Sequence, residues 1–575
     1  MSTNLIEAEL LQAARCEDLR YEDIKNLTVL GDFERGIVDR LKQAGSHLLQ
    51  GARGVGKSML MRQAEIEMDE EFIESKNLSV YVNFKTSPLL EGVKIGDKNG
   101  FQVWVGAKIL QTLHKKLLFL NLINSNGIND PYQKIFKIES QNSTQEFLNQ
   151  KIHLIQNIAL GNIKENIDKE FVDKVNNISF VRDTVNSIIS GLGVNRLIFL
   201  FDEVAHSFIP QQQEIFFEIY KLLHGNSIAV KAAVYPTVTS YGKNFEIGHD
   251  AILISLDRFE TGTSGLGNII SLFRDILLKR IESKPSLKKH FFSKGELLDQ
   301  CIYASTGNPR AFFHILLNAK DKGYNLYGVQ SAIQEYVDIE LLPYHSQVAK
   351  RLPRFAHHCK LGLELTRNYI IQQIKEKNYR DKKTKYQSAF FTMDRDSSPN
   401  LKISLDLLCY SGILSKKGTV KIANRRTGQR YMVNLALMVT EKAFLSNKIS
   451  DAVKSLSLTD YREFSSSDSN IILITEKIKE DGESCTNCGT ELSLEAKFCS
   501  NCGLKVERER LISVLLDDSI EKLSIGWRIA QRVKKSHPKV GDILQASRDE
   551  LMGIYYVGNV KSRLLKNAAE EYISG

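Results

Sequence analysis

Gly51-Ala-Arg-Gly-Val-Gly56-Lys57-Ser58 matches GxxxxGK[ST] at every position. Glycines in such a loop let backbone N–H groups turn inward onto phosphate oxygens, where a side chain would block approach. Gly51, Ala52, Arg53, Gly54, Val55 and Gly56 are therefore the expected phosphate cradle of a nucleotide site. Lys57 would reach the β- and γ-phosphates of ATP, and Ser58 would give its hydroxyl to Mg2+. Arg53 adds a cation to which the pattern assigns no role. A second set of groups stands at Leu197-Ile-Phe-Leu-Phe201-Asp202-Glu203. Five apolar residues read as a buried parallel strand, with carboxylates at the end where open α/β sheets bind ligands. Asp202 would hold Mg2+ through water, and Glu203 would polarise an attacking water as general base.

Four cysteines form the other cluster, Cys485-Thr-Asn-Cys488 and Cys499-Ser-Asn-Cys502, each pair followed by glycine. Each CxxC makes a knuckle with two thiolates facing one Zn2+, and two knuckles complete a tetrahedron. Cys16, Cys301, Cys359 and Cys409 stand singly and read as small buried apolar residues.

These groups need elements to hold them. A helix over Asp32–Gln43, a strand over Ser46–Gln50, a helix from Lys57 to about Glu67 and a strand over Leu78–Phe84 make a β-loop-α-β unit. A mostly helical stretch from about 100 to 190 reads as an insertion. Strand character returns at Leu197–Phe201, Ala229–Tyr235 and Ala251–Leu256, and helices dominate from about 265 to 340. The fold class is α/β: a P-loop parallel sheet with a helical lid, followed by smaller modules.

Two further segments narrow the class. The strand Ala229–Tyr235 runs into Pro236-Thr237-Val238-Thr239, which places a hydroxyl at a strand tip. Ser305-Thr306-Gly307-Asn308-Pro309-Arg310 opens a helix. Together with the P-loop and the Asp-Glu strand, residues 20–340 resemble AAA+ ATPases of the origin-recognition, initiator-like branch, which is related to STAND ATPases. The resemblance implies a sensor at Thr237 or Thr239 and a second sensor, Arg310, delivered to the γ-phosphate from the lid. The chain departs from the family in its large insertion and in lacking a clear arginine finger. Arg258, Arg274 and Arg280 are the candidates, each also readable as a solvated or lid residue.

Downstream, Leu401–Tyr410 has helical spacing, Gly412 breaks it, and strand-like segments at Thr419–Ala423 and Arg430–Asn434 follow. A helix, a glycine turn and a hairpin are the winged-helix order, and initiator ATPases carry a winged helix at this place. Lys421, Arg425, Arg426 and Arg430 make the hairpin basic, which suits DNA phosphate or minor-groove contact. The C-terminal piece, with Ile520-Glu-Lys-Leu-Ser-Ile525, Val540-Gly-Asp-Ile-Leu-Gln-Ala-Ser547, Glu550-Leu551-Met552 and Tyr556-Val-Gly-Asn-Val-Lys-Ser-Arg563, resembles tandem helix-hairpin-helix domains, particularly the C-terminal domain of the RNA polymerase α subunit. That resemblance implies free backbone N–H groups at a helix N-terminus on DNA phosphate, Gly558 supplying the turn and Lys561 and Arg563 adding charge.

The resulting division is 20–265 nucleotide-binding core, 266–340 lid, 341–450 winged helix, 451–482 linker, 483–505 zinc ribbon and 510–575 helix-hairpin-helix module. At 575 residues the chain exceeds one ordinary core. Its 77 basic against 68 acidic residues leave a mild +9, so nucleic-acid binding must be argued from where the charge falls. No apolar stretch reaches the ~18–20 residues that span a bilayer, and the N-terminus lacks the pattern of a signal peptide. The expected place is the cytoplasm, with the nucleoid. The reading is a Mg2+-dependent ATPase acting as a nucleotide-gated DNA-binding switch or loader, with a homo-oligomer admitted. The alternative is a STAND-type signalling or antiviral-defence ATPase that recruits a separate effector protein.

Overall fold

Apolar runs at β1 (His47–Gln50), β2 (Asn77–Asn83), β3 (Arg196–Asp202), β4 (Ile228–Val234) and β5 (Ile252–Ser255) pair in parallel, in the order β2-β3-β4-β1-β5. Parallel pairing puts the C-terminal ends of all five strands on one edge. The loop after Gln50, the Asp202–Glu203 pair and Tyr235 therefore meet although they are far apart in sequence. Strand β3 is buried throughout apart from Arg196, as a strand covered on both faces must be. The computed structural model describes Cys16 and residues 19–574, apart from 125–129, 139–142, 162–166, 205–208, 237, 352–354, 381–385, 422–425, 447, 481–486, 489, 491–497, 505–510, 524 and 526.

Helix α1 (Lys57–Glu70) follows the P-loop. The insertion is helical as expected, led by α2 (Gly100–Phe119), whose Trp104, Leu110 and Leu113 join the main core beneath β2 and β3. The lid is a helical unit from Thr263 to Glu335, and α3 (Pro309–Asp321) within it returns to the P-loop.

The next module contains β6 (Phe390–Asp394), α4 (Pro399–Tyr410), β7 (Leu414–Lys421), β8 (Thr427–Val433) and β9 (Tyr461–Phe464). Helix, glycine turn and hairpin stand in the expected order, but the sheet has four strands, β9-β6-β8-β7. Residues 451–480 of the expected 451–482 linker are thus folded into the module. Strand β9 pairs in parallel with β6, and the helix Ser469–Glu480 follows it. The serine run that reads as a linker is a turn: Ser465 Oγ accepts from Ser467 N–H at 3.2 Å, and Phe464 before it is buried.

The C-terminal module is a set of short helices closed by α5 (Asn559–Ser574). It is not a separate bead. Leu565, Ala569 and Ile573 share one buried cluster with the main sheet, α5 lies against the turn Ser87–Leu90, and Ile512 N–H donates to Glu91 Oε2 at 3.1 Å.

Candidate nucleotide site

Lys57 is buried at the start of α1 and donates to the carbonyls of Gly51 (2.7 Å) and Ala52 (3.1 Å), with its ammonium 3.9 Å from the centre of the Tyr235 ring. Burial pushes its pKa down to about 8, against the upward pull of Glu203 and Asp202; Arg53 and Arg310 add to the lowering. Excess positive charge around a desolvated lysine marks a place that gains from an anion. Ser58 lines the same cleft one residue further on.

At the end of β3, Asp202 is buried. Its carboxylate accepts from Tyr81 Oη at 2.6 Å and from Glu203 N–H at 2.9 Å. Glu203 has φ +61°, a left-handed backbone rare for a non-glycine residue, and its side chain faces the cleft beside Lys57. Strain of this kind gathers at functional positions, where the surroundings must hold it. Thr237 lies outside the described residues. The Thr239 hydroxyl turns back on its own chain, accepting from Tyr235 N–H (3.2 Å) and donating to Tyr235 O (3.0 Å).

The lid arrives through Asn308. Its side-chain oxygen caps α3 by accepting from Arg310 N–H (3.0 Å) and Ala311 N–H (3.3 Å), while its amide donates to Arg53 O at 2.8 Å. One side chain therefore ties the P-loop to the lid. Gly54 permits the approach: its φ is +81°, and a Cβ there would stand 2.9 Å from Arg310 Cβ. Arg310 lines the same cleft as Lys57. Of the finger candidates, Arg258 is buried under the loop, bonded to Glu34 (2.6 Å) and to Val55 O. Arg274 pairs with Asp299, and Arg280 stacks over Phe313 at the cleft wall.

Several residues of this site carry no motif. Leu27, Val29, Leu272 and Ile276 give the cleft an apolar wall suited to a nucleobase. Cys16, expected to be buried, is half-buried there, whereas Cys301, Cys359 and Cys409 are buried as expected. Glu571 arrives from the far end of the chain. Its carboxylate lies 2.6 Å from Arg53 and 4.0 Å from Arg310, and the neighbouring Glu570 is 3.7 Å from Lys85. Arg53 also stacks over Tyr344 at 5.4 Å. Asn308 was visible as a helix cap; nothing local signals Glu571.

The residues expected to face DNA are sorted by the structure. Lys421 is exposed at the end of β7, and Arg425 lies outside the described residues. Arg426 pairs with Asp394 at 2.6 Å and keeps 37% of its side chain exposed. Arg430 is a strut of the hairpin: its guanidinium donates to the carbonyls of Lys417 (3.0 Å) and Leu458 (2.8 Å). Lys417, midway along β7, pairs with Asp257 at 2.6 Å, next to the Arg258 that holds Val55 O. In the C-terminal module the left-handed residue of the turn is Tyr556 (φ +73°), not Gly558. Lys561 donates to Tyr556 O at 3.1 Å and covers the Tyr556 ring; Arg563 is half-buried.

Three thiols, Cys488, Cys499 and Cys502, have Sγ atoms within 4.8 Å of one another, and Cys488 and Cys499 are 3.5 Å apart. Thiolates about 2.3 Å from one tetrahedral zinc lie about 3.8 Å apart, so the trio fits that ion. Gly503, at φ +70°, donates its N–H to Cys499 O at 2.9 Å and closes the knuckle. Cys485, the fourth expected ligand, lies outside the described residues. One zinc per chain is expected by elemental analysis, with Cys499→Ser losing it while ATP affinity stays within about twofold, because the sites share no residue. Metal-free protein purified without chelator would refute this.

Residues 484–506 match the zinc-ribbon domain family. No curated protein matches the chain. Among solved structures, the chain is similar to the Aeropyrum pernix ORC1 protein in complex with DNA, at 14% identity over 72% of this chain and 93% of that one, with TM-score 0.27. It is also similar to the Aeropyrum pernix ORC2 protein (ADPNP-ADP complexes), at 10% identity over 78% and 96%, with TM-score 0.32. At these scores the functional reading is carried by the residues of the site.

Proposed function

We propose that the chain is a Mg2+-dependent ATPase of the AAA+ kind in which the bound nucleotide sets how two basic modules engage duplex DNA. One observation carries the reading: a P-loop lysine, the strand-end carboxylate of Glu203 and a lid arginine converge on a single cleft with an apolar wall, and the buried Asp202 carboxylate accepts from Glu203 N–H beside it. Backbone N–H groups of Gly54 to Lys57 cradle the phosphates, Lys57 holds the β- and γ-phosphates, and Arg310 meets the γ-phosphate from the lid. Ser58 and Asp202 are the residues that would hold Mg2+, whose charge offsets that of the phosphates. Glu203 orients the attacking water and takes up its proton.

The path from cleft to DNA runs through bonded pairs. Val55 O is held by Arg258, and the adjacent Asp257 is held by Lys417 midway along β7 of the β7–β8 hairpin. A shift of the loop on nucleotide exchange is therefore felt by the hairpin that carries Lys421 and Arg425. Such a protein works with the nucleoid in the cytoplasm. Coupling between bound ligands is reciprocal, so duplex DNA is expected to change ATP affinity by about 5-fold or more, and with it turnover at sub-saturating ATP. Steady-state ATPase with and without a 30-bp duplex tests this. Turnover indifferent to DNA but raised by a protein partner would favour the signalling reading instead.

A further inference from the structure

Two consecutive glutamates, Glu570 and Glu571, stand in the last turn of α5, and that turn has no basic residue. The C-terminal end of a helix carries partial negative charge, so carboxylates there are unfavourable unless cations outside the helix meet them. Here those cations belong to the nucleotide site. Arg53 of the P-loop lies 2.6 Å from Glu571, Arg310 of the lid lies 4.0 Å away, and Lys85, on the cleft wall, lies 3.7 Å from Glu570. The Arg53 and Glu571 side chains are only 18% and 20% exposed, so solvent screens the pair weakly.

We propose that Glu571 occupies the charge position of a γ-phosphate, so that ATP, but not ADP, displaces the C-terminal end of α5 from Arg53 and Arg310. This rests on the nucleotide-site reading above. A carboxylate and a γ-phosphate ask for the same guanidinium donors, and both cannot be met in one desolvated cleft without like-charge repulsion. ADP lacks the competing group and leaves the contact in place. Glu571 is in this sense a specificity residue: it lowers affinity for the triphosphate alone. Because α5 is a continuous helix, the contact is carried to its other end. Glu571 lies 12 residues from Asn559 (571 minus 559), about 18 Å along the axis. At that end stand Lys561 and the exposed Tyr555 and Tyr556. Release at the γ-phosphate thus frees the end of the module proposed to meet DNA.

The test uses the full chain carrying Glu203→Gln to stop turnover, with and without Glu571→Gln. The exchange removes the charge and keeps the shape; Glu571→Ala serves as a second variant. ATP affinity is expected to rise about 10-fold with either change and ADP affinity to stay within about threefold, a coupling of ordinary size for linked sites. In the chain with Glu571 intact, hydrogen exchange over residues 559–574 should quicken with ATP and not with ADP. An unchanged ratio of ATP to ADP affinity, or equal protection of 559–574 by both nucleotides, overturns the proposal. A chain with Glu571 intact that binds neither nucleotide would instead remove the nucleotide-site reading on which it rests.

Discussion

Lys57→Ala is expected to lower ATP affinity by at least about 30-fold, while Glu203→Gln is expected to keep affinity within about threefold and lower turnover by about 100- to 10,000-fold. The two effects separate because the residues do different work. Lys57 is a buried cation held by carbonyls of its own loop and lining the cleft. Removing one partner of a buried charge pair costs about 2–5 kcal/mol, or about 30- to 5,000-fold. Glu203 acts only once water is to be activated, and glutamine keeps its shape and its strained backbone while giving up the basic oxygen. Equilibrium ATP binding and single-turnover hydrolysis on the two variants check both statements. Equal ATP affinity in Lys57→Ala and the unaltered chain would remove Lys57 from the site. Full turnover in Glu203→Gln would pass the role of base to another group.

The parts of the site legible in the sequence are those whose chemistry is contiguous. The P-loop needs eight consecutive residues, and the Asp202–Glu203 pair follows an unbroken apolar strand, so each carries its own context. Parallel pairing then brings them together. Asn308–Arg310 was legible because capping residues and a first-turn proline mark a helix start. Arg53 had no role until its partner was seen, 518 positions away on α5; no local pattern reaches across that separation. The same limit hid the fate of Ser465–Ser467, whose composition suits either a linker or a turn until β6 supplies the pairing strand. Arg430 looked like its neighbours by charge, yet the carbonyls of Lys417 and Leu458 claim it. At the C-terminal turn Tyr556, not the nearby Gly558, takes the left-handed backbone, so residue type alone does not place it.

DNA binding should carry the signature of phosphate contacts, because the groups proposed to meet DNA are Lys421 at the hairpin end, Arg425, Lys561 and the N-terminal end of α5. Taking one cation away from a phosphate should reduce the salt slope for duplex DNA by about 0.9. Lys421→Glu with Arg425→Glu, and separately Lys561→Glu, are expected to weaken binding and flatten that slope, additively if the two modules act apart. Nucleotide adds the larger effect. On the proposal above, ADP leaves the C-terminal module held at Arg53 and ATP releases it, so that two surfaces would follow one duplex and affinity would rise through effective concentration. The measurement that bears most directly on the whole account is therefore the affinity of Glu203→Gln for one duplex at one salt concentration, with ATP and then with ADP. Binding at least about 10-fold tighter with ATP is the predicted result. Equal affinity in the two states, or tighter binding with ADP, would contradict it.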